Sequence, residues 1–123
     1  MPSNAKNSLL VVVRHSPYGS SVARSSLEVA LAAAAFEQPV GLLFVGDGVL
    51  QLIPDQEPSG IGVRNIAKLI QSLPLYDIET LYADEQALQR YGLDPQTLPQ
   101  QLLPLNTAAI QALFSNYDHI LSF

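Results

Sequence analysis

A Gly-Asp-Gly sequence follows an unbroken apolar run in the first half of the chain. Residues 40–45 read VGLLFV, and Gly46, Asp47 and Gly48 come directly after them. Continuous apolar strands are typical of parallel sheets, and open α/β folds bind ligands where such strands end. Glycine permits positive φ angles and close backbone approach, so Asp47 and Gly48 are candidate ligand or partner contacts. The alternative, which we favour, is that Asp47 caps the turn.

A second polar group follows the first predicted strand, residues 8–14. It contains His15, Ser16, Tyr18 and Gly19. Backbone N–H groups of this turn, at the start of a helix, are a possible anion site. The alternative is an ordinary turn whose serines cap the helix, with His15 packed or solvated rather than acting as a base.

The residue types that are missing exclude several chemistries. The chain has no cysteine and only two histidines, so thiolate chemistry is excluded and a histidine-based metal site is not expected. The sequence contains no P-loop, no complete GxGxxG and no GxSxG motif. We therefore predict no cofactor. His119 lies in the last predicted strand, where we expect a half-buried structural residue.

The charge content indicates that this chain associates with other subunits. Only 14% of its residues are charged, against about 25% in a typical domain, although 48% are hydrophobic. The alternative is a monomer covered with Gln, Ser and Asn. We expect helix 21–36, the turn at 49–53 and the region of Tyr76 and Tyr82 to contribute interfaces.

The net charge of −5 argues against nucleic-acid binding, and the absence of a signal peptide or long apolar run predicts a cytoplasmic protein.

Strands alternate with helices along the sequence, which predicts a single α/β domain over residues 1–123 with a mainly parallel sheet. Residues 1–7 are expected to be a flexible N-terminus. The predicted strands are 8–14, 40–45, 78–83, 101–105 and 118–123. The predicted helices are 21–36, 63–73, 85–91 (capped by Asp84) and one that begins at Asn106 or Thr107 and ends at Ser115; residues 49–53 form a short helical turn and 54–60 a loop.

Three segments together resemble a known family. They are FVGDGVLQL at 44–52, LYDIE at 75–79 with YGLDPQT at 91–97, and NYDHILSF at 116–123. This combination, in this order, is similar to the DsrE family, and within it to the DsrF-like subunits of bacterial sulfur-relay complexes.

The resemblance implies a flavodoxin-like three-layer α/β domain with a five-stranded sheet. It also implies a heterohexamer, a dimer of trimers, formed with TusB-like and TusD-like subunits. Such complexes relay persulfide sulfur between TusA-like and TusE-like carriers toward 2-thiolation of the tRNA wobble uridine. In the catalytic paralogue the sulfur-carrying cysteine follows the third strand, and the resemblance implies that Asp84 or a direct neighbour occupies the matching position here. A carboxylate cannot form a persulfide, so the resemblance implies a subunit without catalytic function. The alternative is a small binder or enzyme that holds FMN or another phosphate compound over residues 15–19 and 46–48.

Overall fold

In the part of the chain that the structure describes, five strands alternate with helices. The computed structural model describes residues 7–15, 22–52, 70, 72–78, 80–94, 98–99 and 101–123. The strands are β1 (Leu9–Val13), β2 (Val40–Phe44), β3 (Leu81–Asp84), β4 (Leu102–Leu105) and β5 (His119–Ser122). In the described ranges, the α-helices with defined bounds are α1 (Val22–Ala35), α2 (Glu85–Arg90) and α3 (Thr107–Ser115), and 3₁₀ helices span Gly46–Leu52 and Leu73–Tyr76.

All strand pairs are parallel, and the strands lie in the order β4-β3-β2-β1-β5. The predicted α/β class with a mainly parallel five-stranded sheet is therefore confirmed. Because every strand runs in the same direction, all five end at one edge of the sheet, called here the carboxyl edge. The loops that follow β1, β2 and β3 are neighbours along this edge.

Two apolar cores cover the two faces of the sheet, which gives three layers. Alternate β1 residues point to opposite faces, as the period of a strand requires. On the larger side, Val11 and Phe44 pack with Leu27 of α1 and Ala87 of α2. On the other side, Leu10 and Leu43 pack with Leu113 of α3.

Tyr117 closes the smaller core after α3. Its ring lies against β2 at Gly41, where an added Cβ would come within 2.8 Å of the Cζ atom of Tyr117. Burial, together with the neighbouring phenol of Tyr82, raises the pKa of Tyr117 well above its usual value. Glycine at position 41 thus leaves the space that the hydroxyl end of this ring occupies.

Side-chain caps define the starts of two helices, as the sequence predicts. Asn106 accepts a hydrogen bond from the backbone N–H of Ala109 at 2.8 Å. Asp84 accepts one from the backbone N–H of Gln86 at 3.1 Å. Each cap satisfies a donor that the first helical turn leaves unpaired.

β3 begins at Leu81, three residues later than the predicted start at Ile78. Asp77 ends the preceding 3₁₀ helix in the left-handed conformation, with φ of 66°. The backbone N–H of Ile78 then bonds to the carbonyl of Leu73 at 3.2 Å rather than to a strand. Ile78 is buried because it packs in the core beneath the sheet, not because it belongs to the sheet.

Two predictions about exposure are wrong. His119 is exposed rather than half-buried, because β5 is an edge strand and all four of its residues are exposed. The 49–53 segment cannot supply a large interface through Val49 and Leu52, since these side chains are 0% and 2% exposed. The apolar spacing of this short stretch reflects packing against the sheet.

Several predictions lie outside the described residues. These are the flexible N-terminus apart from Asn7, the turn with Ser16, Tyr18 and Gly19, the serine caps before α1, the loop at 54–60, and most of the helix at 63–73. Ile70 of that helix is described, and it is helical and buried as expected. No helix within the described ranges combines the length and the hydropathy that crossing a bilayer requires.

Candidate functional site at the carboxyl edge

The 3₁₀ helix Gly46–Leu52 occupies the centre of the carboxyl edge, between the ends of β1 and β3. The predicted helical turn at 49–53 thus starts earlier, and the Gly-Asp-Gly sequence forms its first turn. Gly46 has φ of 52°, a conformation that favours glycine. The backbone N–H of Gly48 bonds to the carbonyl of Val45 at 2.9 Å, so this N–H is not available to a ligand.

Gly48 also lets this helix pack directly on β1. A Cβ at position 48 would lie 2.7 Å from the carbonyl carbon of Val13 and 3.2 Å from the backbone nitrogen of Arg14. Real Cβ atoms do not approach backbone this closely, and backbone in the middle of a sheet cannot move aside. The glycine therefore sets the distance between the 46–52 helix and the end of β1.

Gln51 joins the same helix to the residue after β1. Its Nε2 donates a hydrogen bond of 2.8 Å to the backbone carbonyl of His15. Gln51 is 2% exposed, and its buried Oε1 atom has no hydrogen-bond partner among the residues that the structure describes. An unpaired buried amide oxygen costs stability, whereas the hydrogen bond of Nε2 fixes the His15 carbonyl against the 46–52 helix.

Asp47 joins the helix to the other neighbouring loop. The Tyr91 hydroxyl, just after α2, donates a hydrogen bond to Oδ1 of Asp47. This bond raises the pKa of the Tyr91 phenol above its ordinary value, because the ionised phenol would lose the bond and meet the negative carboxylate. The Asp47 side chain thus contacts the residue that follows α2, a link that the interpretation of Asp47 as a turn cap does not include.

Asp84 lies where β3 passes into α2. Its carboxylate caps α2, and the side chain is partly buried. There is no thiol here or elsewhere in the sequence. Within the described residues, no group of three or more His, Asp and Glu side chains is placed to hold a metal ion.

A mostly apolar cavity of about 230 Å³ lies between α2 and β4. Glu85 and Leu88 of α2 line one side, and Pro104 of β4 lines the other. The cavity carries few polar groups that could orient a substrate. Its shape and lining suit an apolar side chain better than a charged metabolite.

The structure brings Asp47, Gly48 and the His15 backbone together through the 46–52 helix. The His15 side chain is exposed, whereas Asp84 belongs to the next strand. Sequence reasoning missed Gln51 and Tyr91, which form side-chain links between the described loops of this edge. A polar residue inside the apolar run VLQLI was the available signal for Gln51, whereas Tyr91 offered none.

The fold defines a small α/β protein with a parallel sheet. At the carboxyl edge of this sheet, side-chain hydrogen bonds connect the neighbouring loops. The model of the DsrE/DsrF-like family matches residues 7–123, and the chain belongs to this family. It is 35% identical over 115 residues to a protein TusC homolog of Pseudomonas aeruginosa, covering 94% of this chain and 97% of that protein. It is 36% identical over 108 residues to protein TusC of Escherichia coli O157:H7, covering 87% and 91%.

Solved structures support the same fold. The crystal structure of the YchN protein from E. coli superposes with a TM-score of 0.78 at 18% identity, covering 95% of this chain and 99% of that one. A conserved protein of unknown function from Bacteroides thetaiotaomicron superposes with a TM-score of 0.70 at 14% identity, covering 98% and 100%. At these identities the likeness concerns the fold alone.

Proposed function

We propose that the chain is a non-catalytic, TusC-like subunit of a sulfur-relay heterohexamer that supports 2-thiolation of the tRNA wobble uridine. Its partners in this proposal are TusB-like and TusD-like subunits, arranged as a dimer of trimers. TusE-like and TusA-like carriers would act on the complex rather than on this chain, and the complex would work in the cytoplasm. The similarity to TusC proteins over most of the chain supports this assignment.

The observation that carries the proposal is the position and role of Asp84. The family resemblance matches Asp84 to the sulfur-carrying cysteine of the TusD-like paralogue. Here the side chain is a carboxylate that caps α2 through the Gln86 N–H. Persulfide transfer needs a nucleophilic thiolate, which a carboxylate cannot replace. At this position the chain therefore has a strand-to-helix junction with a helix cap and no group that could carry persulfide sulfur.

Exposed apolar side chains at the opposite, amino edge of the sheet support a role in an assembly. Phe36 is 87% exposed just after α1, and Leu75 is 85% exposed in the second 3₁₀ helix. Tyr76 is also exposed, as expected for an interface residue, whereas Tyr82 is half-buried against the smaller core. Large apolar side chains at this exposure, in a chain with few charges, favour burial against other subunits.

Co-expression with the TusB-like and TusD-like proteins of the same bacterium, followed by native mass spectrometry, tests the proposal. We expect a heterohexamer that contains two copies of this chain. Incubation with a persulfide donor system should add sulfur to the TusD-like subunit and leave the mass of this chain unchanged. Recovery of this chain only as free protein at micromolar concentration would contradict the proposal, as would covalent sulfur on it.

A matched pair of variants separates assembly from folding. Phe36→Asp adds a charge at an exposed apolar position and should weaken the complex while leaving the thermal midpoint of the isolated chain close to that of the unaltered protein. Ala112→Asp, at an exposed position of α3 on the other face of the sheet, is the control and should leave assembly intact.

A further inference from the structure

The two outer edges of the sheet differ in their capacity to bind another strand. At the β4 edge, the backbone N–H of Leu102 is already bonded to the carbonyl of Pro99 at 3.1 Å. Pro104, the other β4 residue on that side, has no N–H. The described part of this edge therefore has no free donor, which is one way in which proteins prevent edge pairing.

The β5 edge has no such protection. The N–H groups of His119 and Phe123 bond to the carbonyls of Ser8 and Val12, both at 2.9 Å. Because backbone groups alternate in direction along a strand, Ile120 and Ser122 turn their N–H and C=O groups outward. In the described part of the chain no strand pairs with them.

The side chains of this edge are also open and uncharged. Residues 119–123 read HILSF, with no Asp, Glu, Lys, Arg or Pro. Ile120 is 44% exposed on one face of the sheet, and Leu121 is 45% exposed on the other. A bare edge with apolar side chains is a template for a further strand.

We propose that β5 pairs with β5 of a second copy of this chain, antiparallel and about a two-fold axis at Leu121. In this register each Ile120 lies opposite Ser122 of the other copy. Those residues carry the outward-facing groups, so each pair exchanges both of its hydrogen bonds. A second copy fits because the arrangement is self-complementary, as an isologous interface requires.

The same register matches the side chains. Leu121 meets its own counterpart in a pair without backbone hydrogen bonds, where side chains approach most closely. His119 lies opposite Phe123 of the other copy, on the same face as Leu121. No cross-strand pair of residues 119–123 places two like charges opposite each other, although each chain has a net charge of −5. The result is a continuous sheet through two copies, with an apolar stripe across the junction.

The absence of native cysteine allows a direct test on the full chain. In the proposed register the two Leu121 Cα atoms are about 4.5 Å apart, within the range of about 4.4–6.8 Å that a disulfide spans. We expect Leu121→Cys to form a covalent dimer rapidly under mild oxidation. Leu103→Cys, at a position 48% exposed on the β4 edge, is the matched control and should react far more slowly. Equal rates for the two variants would overturn the proposal.

A second variant tests the backbone bonds. Ser122→Pro removes an outward N–H and leaves the bonds to β1 in place. We expect sedimentation equilibrium to show a dimer for the unaltered chain and at least a tenfold higher dissociation constant for Ser122→Pro, with an unchanged far-ultraviolet circular dichroism spectrum. An unaltered chain that is monomeric at ~1 mM overturns the proposal, as does a dimer that Ser122→Pro leaves intact. Neither measurement needs another subunit, so the outcome is independent of the proposed relay function.

Discussion

The hydroxyl of Tyr91 donates a hydrogen bond to the carboxylate of Asp47, 44 residues earlier in the chain. Asp47 lies in the helix after β2, and Tyr91 follows the helix after β3. On the other side, Gln51 bonds to the His15 backbone after β1. The loops that follow three neighbouring strands are thus joined into one surface by two side chains from the 46–52 helix.

Removal of the link between Asp47 and Tyr91 should loosen α2 without unfolding the protein. We expect Tyr91→Phe and Asp47→Asn to increase amide hydrogen exchange in residues 85–92, and the double variant to add little to either single one. The pair is exposed to water, so the change in thermal midpoint should be small. Additive effects on exchange in the double variant would show that the two residues act separately.

Gly48→Ala should destabilise the protein strongly because its Cβ would meet the backbone of β1. Overpacking against atoms that cannot move costs about 1–3 kcal/mol, and the rigid backbone here places this change at the upper end. Gly46→Ala is the matched control: it has a positive φ but nothing within 4 Å of an added Cβ, so its cost is about 1–2 kcal/mol of backbone strain. Urea denaturation measures both. A Gly48→Ala variant as stable as Gly46→Ala would contradict the packing described here.

Asp84 should act as a helix cap in the isolated chain. We expect Asp84→Ala to lower the free energy of unfolding by about 1 kcal/mol, whereas Asp84→Asn, which keeps an acceptor oxygen, should lower it much less. Urea denaturation at neutral pH separates the two. If Asn and Ala were equally destabilising, the carboxylate charge rather than the capping bond would be responsible.

Alkaline pH should destabilise the fold through Tyr117. Burial raises the pKa of its phenol above the ordinary value of about 10, so the folded state keeps this proton to higher pH than the unfolded state. The stabilisation is complete below about pH 10 and is lost as the pH rises toward the folded-state pKa. We expect the free energy of unfolding to fall over this range, and to fall less steeply in Tyr117→Phe. Superimposable alkaline profiles for the two proteins would contradict this assignment.

Flavins and nucleotides should not stabilise the protein. The Gly48 N–H is already bonded, and Gly48 is buried against β1, so the Gly-Asp-Gly sequence offers no open phosphate loop. We expect purified protein to be colourless, with no change in thermal midpoint in millimolar FMN or ATP. A concentration-dependent rise in the midpoint would instead favour the small-molecule binder considered from the sequence.

The sequence predicted the fold well because local signals and burial agree. Valines 11–13 and the run at 40–45 favour buried strands, and Asn106 and Asp84 are strong helix caps. The start of β3 was missed because Ile78 is apolar for core packing, and apolar character alone does not distinguish a strand from a buried turn.

The candidate site was less predictable because it depends on contacts between distant segments. Asp47 and Gly48 could be selected from their local sequence, but the partner of Asp47 is Tyr91, which no spacing rule connects to it. Exposure of His119 was also missed, since the position of β5 at the edge follows from strand order. Strand order is a property of the whole chain.

The place of β1 beside both β2 and β5 has a consequence for how the protein folds. The hydroxyl of Ser8 accepts a hydrogen bond from the N–H of Asp118, 110 residues away, so β1 gains its second neighbour only by closing most of the chain into a loop. Closing a loop of this length costs conformational entropy, and contacts between such distant residues slow folding. A partly assembled sheet of β1 to β4 would expose both the bare side of β1 and its apolar face, and chaperone capture should be most effective at that stage of synthesis.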